Sequence, residues 1–478
     1  MSSEAQATAD AAKPKILEVP AWGIEPTPPH LRQLGMFASS ALWGNLGISL
    51  LLPIVAAFLV PGMSFARAAL AIVVGVVIGN LMLGYAGRIG AATGAPAMVL
   101  YRPSLGRRGS YAPTILNVLQ NIGWGAFELI IISTAAAAIT ERAFGVSARP
   151  AWAIGFGIVV TLMAVGGPLV VVRRWIARYA IWLVLASTIY LTLYVLLSEP
   201  LTTFTGASGD GSLPFWQGVD LVIAMPISWI PLVADYTRFS RTPAAGFVGT
   251  AIGYGIAHAW FYFLGLLLVL SNTATDPLDP TGFVVDAMLA IPLGVLALAI
   301  LAVDESDEAF ANIYSASVSI QNAFPRISQR TLSIAIGAVC TLLAVFVPLV
   351  QYENFLLLIG AVFVPLFGVL AAHYFVVRRG YSEAELYGGQ RSVRIWGCVA
   401  WVAGFLVYNW LNPGTVGWWV SGMRWLFDTM LGAPFPATTS VPWLSASIAS
   451  FVVAFLLQGA EALLRSRSAR SAARASAR

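Results

Sequence analysis

Ile300–Gln321 reads ILAVDESDEAFANIYSASVSIQ and sets Asp304, Glu305, Asp307 and Glu308 within five residues, between apolar flanks. The whole chain has only 22 acidic residues, so four together need a cause. An anion left in hydrocarbon costs roughly 2.5–3.5 kcal/mol on insertion scales. Acids so placed must face a watery cavity, hold a cation or take up protons. At helical spacing Asp304, Glu308, Asn312 and Ser315 share one face, with Asp307 on its shoulder. The plainer alternative is an acidic loop between two short helices. The reading adopted is a membrane helix carrying a coupling-ion and substrate site.

Composition points the same way. Of 478 residues, 58% are hydrophobic and 10% charged, with mean hydropathy +0.79. Soluble domains are about 25% charged, so the chain reads as a polytopic membrane protein with no separate soluble domain. The net charge of +5 comes from arginines in loops and in the tail from Arg465 to Arg478. That pattern suits an anionic membrane surface and argues against nucleic acid. Cys340 and Cys398 lie apart inside apolar spans and read as packing residues. His30, His258 and His373 form no ligand-spaced set, and neither a metal site, a nucleophile elbow nor a phosphate loop is present.

Twelve apolar runs have spanning length, about 20 residues each. They fall near 35–60, 68–90, 112–140, 151–172, 177–198, 217–237, 246–270, 288–321, 330–349, 353–377, 393–411 and 442–463. With the N-terminus inside, Arg88, Arg102, Arg107, Arg108, Arg173, Arg174, Arg178, Arg238, Arg241, Arg326, Arg330, Arg378 and Arg379 all fall on one side. Both termini are therefore expected in the cytoplasm, in a plasma-membrane protein. The expected layout is a tail at 1–34, a ten-helix transport core at 35–377, two further helices at 378–464 and a basic tail at 465–478.

Two spans look interrupted: the first at Gly44, Asn45 and Gly47, and the sixth at Pro226 and Pro231. Paired breaks in the two halves of a transporter mark its site. Pairing spans one with six, and three with eight, fits a five-plus-five inverted repeat. No repeat is visible in the sequence itself. Asp279 to Leu289 reads as a short surface helix, and Val416 to Pro436 as an interfacial aromatic segment.

In span three, Trp124 and Glu128 are one turn apart, an aromatic face with an acceptor, which suits a planar heterocycle. Glu128 lies too deep in apolar sequence for the membrane surface, so proton exchange is one possible role. Trp229 in span six offers a second ring, and Asn312 both donates and accepts. Asp235 beside Arg238 reads as a gate or structural ion pair. Ser306 and Asp307 offer oxygens to a monovalent cation, with backbone oxygens at Trp43, Leu46 and Val303, and a carboxylate there equally permits proton coupling. Asn45 is a further substrate contact.

At these residues the chain resembles the nucleobase–cation symporter family 1. The resemblance runs over all twelve spans. It is carried by Gly123-Trp124 with Glu128, Asp235-Tyr-Thr-Arg238, and Ala311-Asn312-Ile-Tyr-Ser315 followed by Pro325-Arg326. Ile227 to Pro231 is most similar to the cytosine and hydroxymethylpyrimidine branch. The resemblance implies an all-α, LeuT-like fold of ten inverted-repeat helices plus two. It implies a substrate stacked between Trp124 and Trp229 and bonded to Asn312. Hydantoin-type members carry Gln where Glu128 stands, which favours a substrate edge with donors, such as an aminopyrimidine. Sodium-coupled members place hydroxyls where Ser306 and Asp307 stand, which leaves Na⁺ and H⁺ both open.

The expected function is secondary-active import of cytosine, hydroxymethylpyrimidine or a purine, coupled to H⁺ or Na⁺, with no cofactor and no obligate protein partner. A symporter of the same fold for allantoin, hydantoin or an amino acid is the alternative. A membrane enzyme lacks a nucleophile or metal here, and a channel fits the paired breaks less well.

Overall fold

The computed structural model describes residues 23–166, 181–271, 280–347, 352–389, 391–435 and 441–476. The tail before residue 23, the loop arginines 173, 174 and 178, and Asp276 and Asp279 lie outside the described residues.

Among the described residues nine helices are long and apolar enough to cross a membrane. They are α3 (Phe65–Thr93), α4 (Tyr111–Phe144), α5 (Arg149–Gly166), α6 (Ile181–Ser198), α7 (Phe215–Thr237), α8 (Pro243–Ser271), α12 (Gln329–Phe346), α13 (Phe355–Arg378) and the Ala446–Leu464 part of α16. Three expected spans take other forms. The first is split into α1 (Met36–Asn45) and α2 (Leu51–Leu59), and the eighth into α10 (Gly294–Asp304) and α11 (Ser306–Ala323). The eleventh is the 17-residue α14 (Ile395–Leu411). This architecture is consistent with twelve spans. The helix expected before the acidic stretch is α9 (Pro280–Leu289), and the aromatic segment includes α15 (Gly417–Arg424), with Trp418 and Trp425 exposed. The last helix, α16 (Ala446–Ser476), continues through most of the expected basic tail.

The expected break in span six is absent. Helix α7 runs unbroken through Pro226 and Pro231. Proline removes a ladder donor, and neighbouring carbonyls are engaged from α4: Gln120 donates to Ser228 O at 3.0 Å and Asn117 to Pro231 O at 3.0 Å. The partner of the break in span one is instead the break at Glu305 in span eight. Asp304 therefore ends one helix while Glu308, Asn312 and Ser315 ride on the next, not on one continuous face.

The helices pack in two groups. In the first, α3 lies against α7 and α8, α2 against α8, and α1 against the π-helical Gly249–Tyr254 stretch of α8. In the second, α4, α5, α11 and α12 pack on one another. Helices α13, α14 and α16 pack together, with α13 also against α7. Close approach in the first group depends on glycine. A Cβ on Gly79 would sit 2.4 Å from Pro226 Cγ, and one on Gly90 2.7 Å from Ala234 Cα. Small residues at such seams let helix backbones meet where lipid supplies no hydrophobic drive.

Two fastenings lie outside these seams. Asp220 of α7 accepts from Ser445 Oγ at 2.5 Å, Ala446 N at 2.8 Å and Ser447 N at 3.1 Å. It thus satisfies the orphan N–H groups that begin α16. The segment from Gly23 to Leu34 is held through its backbone. Gly23 O accepts from Arg238 Nη1, Ile24 O from Tyr387 OH, Thr27 N donates to Gly94 O, and Leu34 N to Phe239 O.

Candidate functional site

The site is built where the two helix breaks meet between the groups. Helix α1 stops at Asn45 and α2 resumes at Leu51, so Leu46–Leu50 exposes backbone that helix bonding does not satisfy. The break at Glu305 supplies partners. Glu305 accepts from Leu50 N and from Ser49 Oγ, the latter at 3.4 Å. Asn45 Nδ2 donates to Asp304 Oδ1 at 2.9 Å and to Asp307 Oδ2 at 2.8 Å. A buried N–H left unmet costs about 1–3 kcal/mol, and here each break meets the other's need.

Four expected substrate residues converge. Trp124, Glu128, Trp229 and Asn312 line one cavity together with Met225, Ser228, Leu232 and Glu308. Each indole is braced by other rings. Trp124 meets Phe355 edge-on at 5.4 Å, and Trp229 meets Trp43 at 5.6 Å and Tyr254 at 6.1 Å. The walls come from both helix groups: Trp124 and Glu128 on α4, Glu308 and Asn312 on α11, and the rest on α7.

The other expected residues lie beside the cavity. Asn45 sits on the aspartate pair. Asp307 and Ser306 are buried at the start of α11, with Asp307 Oδ1 and Asp304 Oδ2 unpartnered. Leu46 is buried at the break, Trp43 packs on Trp229, Tyr236 and Tyr254, and Val303 turns its side chain outward, 43% exposed. Asp235 does not pair with Arg238. It accepts from Ala97 N at 2.9 Å, while Arg238 donates to Gly23 O at 2.9 Å and Tyr314 OH at 2.8 Å. Asp235 finds its partner in the backbone that follows α3, and Arg238 finds its own in the 23–34 segment and on α11.

Sequence reasoning left Glu305 and Glu308 without roles. One carboxylate oxygen each from Glu128, Glu305 and Glu308 lies within 4.8 Å of the others. Glu308 precedes Asn312 by one turn, and that spacing already sets the two on one face, though without a role for Glu308. Glu305 and Glu128 are far apart in sequence, and only the fold joins them.

A family model described as "Permease for cytosine/purines, uracil, thiamine, allantoin" matches residues 26–426. The chain belongs to this family. It is the nucleobase–cation symporter family 1, and the relatives it resembles are permeases. The hydantoin permease of Microbacterium maritypicum is 24% identical over 390 residues, 78% of this chain and 79% of its own length. The cytosine permease of Escherichia coli (strain K12) is 24% identical over 357 residues, 71% and 78% of the two chains. The allantoin permease of Bacillus subtilis (strain 168) is 26% identical over 336 residues, 63% and 67%. Among solved structures, Mhp1, closed with bromovinylhydantoin bound, matches at TM-score 0.71 with 19% identity, over 93% of this chain and 94% of that one. A Na⁺-coupled sialic acid symporter matches at 0.61 with 12% identity, over 90% of each. At these identities the structural likeness establishes the fold, which is all-α, multi-pass and LeuT-like.

Proposed function

We propose that this permease is a secondary-active importer of a planar, nucleobase-like heterocycle across the plasma membrane, with both termini in the cytoplasm. The observation that carries this reading is the convergence of Trp124, Trp229, Glu128 and Asn312 on one cavity between two helix groups. Trp124 and Trp229 stack the ring. Glu128 and Asn312 bond its edge. The cavity's walls belong to separate packing groups, so rocking one group against the other exposes it to each side in turn.

The coupling ion belongs beside it. Asp304 and Asp307 meet the side chain of Asn45 at the end of α1, with Ser306 between them in sequence, and the unpartnered oxygens of both aspartates suit a proton or a Na⁺ ion. Backbone oxygens of Trp43, Leu46 and Val303 complete the proposed set. The layout is a ten-helix core at 35–377 with α14 and α16 outside it.

Uptake of radiolabelled cytosine into cells lacking their own permeases tests the reading. Hydroxymethylpyrimidine, adenine, hypoxanthine, uracil, allantoin, hydantoin and a neutral amino acid compete, each with and without Na⁺ and with a protonophore. Saturable uptake blocked by one base names the substrate, and the ion conditions name the driving force. Absence of uptake, with no heterocycle bound by the purified protein, overturns it.

A further inference from the structure

The cavity that the proposed function assigns to the substrate is unusually acidic for a neutral base. Glu128 and Glu308 both line it, 1% and 4% exposed, and Glu305 closes the trio from behind. Glu128 Oε2 and Glu308 Oε1 meet no donor outside the trio. No fixed cation answers them. Among the described residues the only buried arginines are Arg102 and Arg238. These are spent on Asn322, and on Gly23 and Tyr314.

The neighbouring polar groups add acceptors. Ser228 gives its hydroxyl hydrogen to Met225 O at 2.6 Å, and Asn312 turns its amide nitrogen to Glu308 O at 3.0 Å. Their oxygens remain to accept, and Asn312 keeps one amide hydrogen to donate. An uncharged base presents donors and acceptors alternately along its edge, and its further acceptors would face carboxylate oxygens. A planar cation edged with N–H groups meets each of these oxygens favourably. Its bonds to carboxylates are charge-assisted, and a tryptophan face attracts it.

We propose that the occupant of this cavity is a planar heterocyclic cation, of the amidinium or protonated aminoheterocycle class. It is held by Glu128 and Glu308 between Trp124 and Trp229. Glu305 acts behind them as a positioning residue, fixed by Leu50 and Ser49. This inference rests on the proposed function and narrows its substrate. The aspartate pair under Asn45 is a separate set, left to the coupling ion.

The test uses isosteric pairs on the purified full chain, followed by quenching of tryptophan fluorescence. Benzamidine is compared with benzamide, and 4-aminopyridine with 4-pyridone, each cation against a neutral molecule of nearly the same shape. Cytosine and hydantoin are included as neutral bases. The expected result is that each cation binds about tenfold or more tightly than its neutral partner. In Glu308→Gln the ratio of cation to neutral affinity falls toward one. The wild-type comparison needs no variant, so a folding failure of Glu308→Gln leaves the test intact. Binding of cytosine, hydantoin or the neutral isosteres with no preference for the cations overturns the inference and leaves the proposed function standing. Failure of every planar compound to bind or be transported overturns both. Displacement of the cations by micromolar Mn²⁺ alone, with the same loss in Glu308→Gln, would make the trio a metal site and overturn the inference as well.

Discussion

Asn45 donates its side-chain amide to Asp307 across the two helix breaks, at 2.8 Å, and the same nitrogen also reaches Asp304. One amide thus holds two buried carboxylates that make no ion pair with an arginine among the described residues.

Replacing Asn45 with alanine removes the shared donor and should lower stability by about 1–3 kcal/mol. Asn45→Asp adds a third anion and should cost more. Thermal unfolding of the purified variants checks the order. In transport, Asn45→Ala should change the response to the ion gradient more than the affinity for substrate. Equal losses in both would argue against a separate ion set.

Glu305 is a case where charge and geometry separate. Glu305→Gln keeps a carbonyl oxygen for Leu50 N and should unfold within a few degrees of the parent. Glu305→Ala strands that buried N–H and should lose about 1–3 kcal/mol. Comparing the two unfolding midpoints distinguishes a need for an acceptor from a need for an anion.

Asp220 should show a similar contrast at the start of α16. Asp220→Ala removes the acceptor for Ser445, Ala446 and Ser447 at once. Hydrogen exchange over residues 445–450 should rise in that variant, with intermediate protection in Asp220→Asn, which retains one oxygen. Unchanged exchange would mean that packing alone holds the helix end.

The seam between α3 and α7 gives a steric prediction. Gly79→Leu and Gly90→Leu push side chains into Pro226 and Ala234, and each should cost about 1–3 kcal/mol by overpacking. The contact at Gly90 is with backbone, which cannot turn aside, so its variant should be the poorer of the two in expression and unfolding temperature.

The sequence carries the outline of this fold because a bilayer imposes length. Runs of about 20 apolar residues mark α3 to α8 and α12 to α14 within a few residues, as far as they are described, and the start of α16 but not its end. Gly44, Asn45 and Gly47 mark the first break correctly. Pro226 and Pro231 misled because a proline removes one ladder bond but does not by itself decide whether a helix stops. Here the helix continues through both, braced by side chains of α4 at Ser228 O and Pro231 O. The second break corresponds to the plainer alternative of two short helices at the acidic stretch, which the sequence disfavours because no glycine or proline stands there. It is set by Glu305 turning to meet Leu50, a contact between residues 255 apart in sequence. For the same reason Trp124, Glu128, Trp229 and Asn312 were legible by type and depth, whereas the meeting of Glu128 with Glu305 was not. Asp235 and Arg238 looked like a pair because they are one turn apart, but sequence neighbours do not outbid a backbone N–H and a tyrosine placed nearer by the fold.

The attachment of Gly23–Leu34 has an unusual property. The bonds that fasten it to Arg238, Tyr387, Gly94 and Phe239 use its carbonyls and N–H groups, and Arg32 adds a side-chain bond to Thr93 O at 3.4 Å. Gly23 is fixed by space, since a Cβ there would sit 2.4 Å from Gln321 Oε1. Such a tether depends on length above all, since one residue inserted or lost shifts every later contact out of register. Alignments should therefore find this stretch almost free of gaps.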